Sequence, residues 1–149
     1  MSYQAPAATT RRVAIPQSVL RAAAAVFICT TALTLYGAHG RYEIPIVMTG
    51  IVLSMIGIYG FLLPRKLSHP SPGGTAFILS VIAVVLLLPT FWSGQSLILG
   101  VAGIMLGYVG RKGQSGARRS VVAVALGLLA SVGYLTIYLL DALLPPGTA

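Results

Sequence analysis

Catalysis, metal binding and proton transfer draw on a short set of side chains, and this chain holds few of them. It has two carboxylates, Glu43 and Asp141, two imidazoles, His39 and His69, and one thiol, Cys29. Acid and base work needs titratable groups brought together, yet both acids fall at the edges of apolar runs. One thiol and two separated histidines cannot build the usual four-ligand zinc site. The spans described below put the histidines on opposite sides, so they can neither share a metal nor pair as axial haem ligands. No serine can be assembled with a histidine and an acid, and the Gly-rich turns precede no phosphate-binding motif. The expectation is therefore no catalytic residue, no cofactor, no metal and no enzymatic activity. Proton and cation carriers hold an ionisable group within the hydrocarbon, and none falls near the middle of a span.

The elements that position these few groups are apolar. Of 149 residues, 56% are hydrophobic and 8% charged, and the formal net charge is +8. Soluble domains carry about a quarter charged residues, and a mean hydropathy of +0.90 leaves too little polar surface to cover a water-soluble globule. The composition is that of an all-α membrane protein. Nucleic acid is not an expected partner, because the cations punctuate apolar runs instead of lining one polar face.

Hydropathy and breakers divide the chain into a flexible N-terminal segment (1–17), a transmembrane domain (18–144) and a C-terminal tail (145–149). The first span covers about 19–38 and is Ala-rich, then Thr-rich. It is read as a retained helix and not a cleaved signal, because Tyr36 stands where a cleavage site needs a small residue. The second covers about 45–63, opened by Glu43 and Pro45 and closed by Pro64, Arg65 and Lys66. Residues 75–110 are apolar throughout, too long for one upright span of about 20 residues. The break Pro89-Thr90-Phe91-Trp92-Ser93-Gly94 splits them into spans at 75–90 and 95–110, with Trp92 at an interfacial turn. A re-entrant pair that never crosses is the alternative. The last span, about 120–143, is long enough to cross with tilt, with Asp141 at its watery end.

Lysine and arginine in short loops stay cytoplasmic. Arg11, Arg12 and Arg21 precede span one, Arg65 and Lys66 follow span two, and Arg111, Lys112, Arg118 and Arg119 lie between spans four and five. These are nine of the ten cations. A bundle of five transmembrane helices, N-terminus inside and C-terminus outside, satisfies the rule. The same cations, Arg65, Lys66, Arg111, Lys112, Arg118 and Arg119, are expected to contact anionic lipid at the cytoplasmic face, each contributing on the order of 1 kcal/mol.

Small residues recur at helical spacing. Gly100, Gly103 and Gly107 mark the fourth span and Gly127 and Ser131 the fifth; Gly50, Ser54 and Gly57 form a stripe on the second. Small residues four apart share a face and let backbones approach in lipid. They are expected to pack helices, either within the chain or against another subunit.

Gly107-Tyr108-Val109-Gly110-Arg111-Lys112-Gly113-Gln114-Ser115-Gly116-Ala117-Arg118-Arg119, followed by Ala123, Ala125 and Gly127, resembles the small membrane domain of unknown function DUF4190 over residues 97–140. In that family two spans flank a short basic hairpin after a Gly-rich helix; its usual histidine after the first hairpin glycine is Tyr108 here. The resemblance implies a topology and no activity.

Five short spans with almost no mass outside the bilayer leave little room for an active site. The expected function is that of a small accessory or structural subunit of a bacterial inner-membrane complex, acting by helix packing and lipid contacts. Its partners would be membrane lipids and other membrane subunits or its own copies. The alternative is an oligomeric transporter or channel for a neutral or lipid-like solute. Ala, Gly and Arg usage points to a GC-rich bacterium, hence to a multi-pass protein of the cytoplasmic membrane.

Overall fold

The computed structural model describes residues 16–37, 43–68, 72–90, 93–111 and 117–143, and its elements among these are all helical. There are five: α1 (Gln17–Gly37), α2 (Glu43–Leu67), α3 (Gly73–Leu86), α4 (Gln95–Gly110) and α5 (Ala117–Leu143). Three of them, α1, α2 and α5, are long and apolar enough to cross a membrane. The N-terminal segment 1–15, His39, His69, Trp92, Lys112 and the tail 145–149 lie outside the described residues.

Helix α4 occupies the middle. Its neighbours are α3 and α5 over most of its length and α1 and α2 on the remaining side. Ten of its sixteen residues are buried, among them Ile98, Ala102 and Leu106 with no exposed surface. A helix that is apolar all round belongs in a protein core or in a membrane. The other four helices turn large side chains outward, including Ile28, Leu53, Phe61, Ile78, Val85, Leu129 and Leu139. Large apolar side chains therefore cover much of the exterior as well.

Two sequence expectations change. The second helix was expected to stop at Leu63 before Pro64, but it continues to Leu67. The reason is a π-helical stretch, Ile56–Leu62, in which the Leu63 N–H donates to the Ile58 carbonyl, five residues back. The wider turn shifts the register ahead of the proline and relieves the clash its ring would make with the preceding turn. The third helix was expected at 75–90; it runs Gly73–Leu86 and then loosens into turns over 87–90. Thr90 still donates from its backbone to the Leu86 carbonyl at 3.1 Å and from its hydroxyl at 2.8 Å.

Candidate functional site

The built part of this molecule is a three-helix contact made of small residues. Gly100 and Gly107 place α4 on α5: a methyl group at Gly100 would lie 3.0 Å from the Gly127 carbonyl, and one at Gly107 2.9 Å from the Ser120 carbonyl. Gly103 does the same toward α3, where an added methyl would collide with the Ser80 hydroxyl and sit 3.3 Å from the Ala76 carbonyl. Gly127 answers from α5, with the Gly100 carbonyl 2.6 Å from where its methyl would be. Ser131, also buried, faces Gly100. The helices thus approach to backbone contact at Gly100, Gly103, Gly107 and Gly127, as small residues permit.

Two serines lock this contact. The Ser80 hydroxyl on α3 donates to the Ala123 carbonyl of α5 at 2.7 Å, and the Ser96 hydroxyl on α4 donates to the Ala83 carbonyl of α3 at 2.7 Å. On the other side, the Tyr59 hydroxyl of α2 donates to the Ile98 carbonyl at 3.2 Å. The sequence alone singles out neither serine. Their signal was their presence: they are among the few polar residues in the otherwise apolar run 75–110.

The stripe on α2 behaves differently. Gly50 is half-buried beside the Gln95 side chain, Ser54 is half-buried, and Gly57 is exposed, with nothing within 4 Å of an added methyl. Gly60 is open in the same way. Between α1 and α2 runs an apolar groove of about 240 Å³, lined by Val19, Ala23, Met55 and Tyr59 among others.

The contacts also set the helices in register. Gly110 meets both Gly73 and Ser120 at one end of the trio, whereas Gly94 meets Thr30 and Tyr134 at the other. Every described cation lies toward the first end: Arg21 on α1, Arg65 and Lys66 closing α2, Arg111 after α4, and Arg118 and Arg119 opening α5. Both acids lie toward the second, Glu43 in the first turn of α2 and Asp141 in the last turn of α5, each exposed. Arg65, Arg111, Arg118 and Arg119 are exposed and Lys66 is half-buried.

The charges of α5 oppose its own dipole. A helix favours anions at its N-terminus and cations at its C-terminus by about 0.3–1 kcal/mol each, yet α5 opens with Arg118 and Arg119 and ends with Asp141. Local helix stability does not account for them. Among the described residues no three of His, Cys, Asp and Glu come together to hold a metal.

No family model matches the chain, and no curated protein or solved structure matches it.

Proposed function

We propose that this is an integral protein of a bacterial cytoplasmic membrane, with its basic end cytoplasmic, acting as a small accessory or structural subunit of a larger membrane complex. The observation that carries the orientation is the segregation of charge: six described cations at one end, two acids at the other, and an α5 whose terminal charges oppose its dipole. Topogenic placement explains that pattern, because translocation holds Lys and Arg inside. The N-terminus is then inside and the C-terminus outside, both for five crossings and for three crossings with a re-entrant pair. Arg65, Lys66, Arg111, Arg118 and Arg119 would meet anionic headgroups, with Lys112 in the same loop.

Support for the accessory role comes from the contrast between small residues that are used and those that are open. Gly100, Gly103, Gly107, Gly127 and Ser131 are consumed inside the chain, while Gly57 and Gly60 face outward on an apolar surface where a neighbouring helix could approach. The role needs no catalytic residue, cofactor or metal. The alternative, a carrier of a lipid-like solute, draws on the apolar groove between α1 and α2.

Extraction in mild detergent followed by affinity capture tests the proposal. A stoichiometric heterologous membrane partner is expected, and Gly57→Leu should reduce its recovery severalfold without lowering the thermal stability of the chain. Recovery of a homo-oligomer alone would sink the accessory reading and favour the carrier.

A further inference from the structure

Resting on the membrane reading, we infer that the groove between α1 and α2 is a binding site for one acyl chain of an anionic phospholipid, drawn from the leaflet at the basic end of the molecule, with its phosphate among the cations of that end.

The lining selects hydrocarbon. Val19 and Ala23 stand on one wall and Met55, Ile56 and Gly60 on the other. Tyr59 brings the one hydroxyl among the lining residues, but it donates to the Ile98 carbonyl of α4 and is turned away from the groove. A polar solute would give up its hydration here for no hydrogen bond in return. Most of the α2 wall belongs to the π-helical stretch Ile56–Leu62, a feature that recurs at functional sites. The groove opens outward: Leu20 and Ile56 on its rims are exposed, and a methyl added at Gly60 would meet nothing within 4 Å.

Size selects a single chain. The wall from Met55 to Gly60 measures about 7 Å along its helix, so a volume of about 240 Å³ corresponds to a mean cross-section on the order of 35 Å². A neighbouring helix is at least about 10 Å across and occupies roughly 80 Å². It can ride over the groove but cannot fill it.

Depth and charge select the lipid. Val19 is the third residue of α1, and Gly60 stands seven residues before the end of α2 at Leu67, so the groove reaches to within about 10 Å of both termini. Cations gather at these termini: Arg21 lies in the groove's own stretch of α1, and Arg65 and Lys66 follow Gly60 by five and six residues. Both acids, Glu43 and Asp141, lie at the other end. A chain seated in the groove therefore brings its phosphate to a boundary of positive charge, which attracts anionic headgroups. Exchanging one lipid for another changes the hydrocarbon contacts little, because lipid tails are as apolar as the side chains they touch. Preference among lipids then comes from the headgroup.

Photolabelling of the full chain in phosphatidylcholine vesicles tests this, the probe being a phosphatidylglycerol with a diazirine in one acyl chain. Adducts should concentrate at residues 19–23 and 55–60, and unlabelled phosphatidylglycerol should compete for them on the order of tenfold better than phosphatidylcholine of the same chains. Gly60→Leu, which fills the groove from a position with free space, should lower these adducts severalfold, and Ala23→Leu should do so from the opposite wall. Gly57→Leu, on the same helix but outside the groove, should leave them unchanged. Arg21→Gln combined with Arg65→Gln should reduce the preference for phosphatidylglycerol severalfold while the adducts stay in place. Adducts spread equally over outward residues such as Leu129 and Leu139 would reduce the contact to bulk lipid and overturn the site. Groove adducts that neither filling variant lowers, or equal competition by the two lipids, would overturn it as well. Loss of the chain from membranes in alkaline carbonate would sink the membrane reading itself, whereas absent groove adducts in a chain that resists carbonate would remove the lipid site alone.

Discussion

The trio α3–α4–α5 and the pair α1–α2 solve the same problem, joining apolar helices, in two ways. In the trio the contact is glycine on backbone, with Ser80 and Ser96 donating across it. In the pair the contact is side chain on side chain: Val19, Val26, Ile51, Tyr59 and Leu63 are buried in the core that α1 and α2 share with the trio, a groove remains open, and α2 relaxes into a π-helical stretch. Close backbone approach maximises dispersion contacts but leaves no freedom, since each added atom meets a carbonyl. Larger side chains leave gaps that can be occupied or rearranged. The difference teaches that the trio is the scaffold and that α1 and α2 carry the adjustable surface.

The comparison breaks most readily at the trio. Gly103→Leu or Gly127→Leu should cost more than about 3 kcal/mol or abolish accumulation, because overpacking against backbone cannot relax by a rotamer change; unfolding in mixed micelles measures it. Gly57→Leu on the pair should change stability by less than about 0.5 kcal/mol in the same assay. Equal losses at the two sites would erase the distinction between the regions.

A smaller loss is expected at the turn between α3 and α4, where the trio touches α1. Gly94 has φ +69°, and a methyl there would lie 3.0 Å from Thr30 Cγ2 on α1. Gly94→Ala should cost about 1–2 kcal/mol from the left-handed backbone alone, read as a lower midpoint in a thermal melt. A loss below about 0.5 kcal/mol would mean that α1 yields to the turn.

The hydrogen bonds sharpen the contrast further. Ser80→Ala and Ser96→Ala should each cost about 0.6–1.7 kcal/mol, the range for interhelical bonds in lipid. Tyr59→Phe should cost less, because its 3.2 Å bond is the longest of the three. A double variant at Ser80 and Ser96 shows whether the two bonds couple through α3. A Tyr59→Phe loss exceeding either serine would make the pair, not the trio, the more tightly bonded region.

The segregation of charge, the α4 bounds at Gln95 and Gly110 and the need for small residues at Gly100, Gly103 and Gly107 were legible from the sequence. Each is local: a cation in a loop, a glycine at a helix end, a spacing of four along one face. The π-helical passage through Pro64 was not, because a proline reads as a breaker until the preceding turn is seen to widen. Ser80 and Ser96 were missed because their acceptors, Ala123 and Ala83, are 43 and 13 residues away.

By itself the sequence determined that the chain is apolar and helical, where its breaks fall and which end of each helix is basic, since composition and charge order need no knowledge of partners. Only the tertiary structure decided that α4 is central, that Gly103 meets Ser80 while Gly107 meets Ser120, and that Gly94, ahead of α4, lies against Thr30 and Tyr134. The physical reason is that a small-residue face states how closely a helix can be approached but not by what or at which height. Register between helices arises from contacts between residues tens of positions apart, and no single segment contains it.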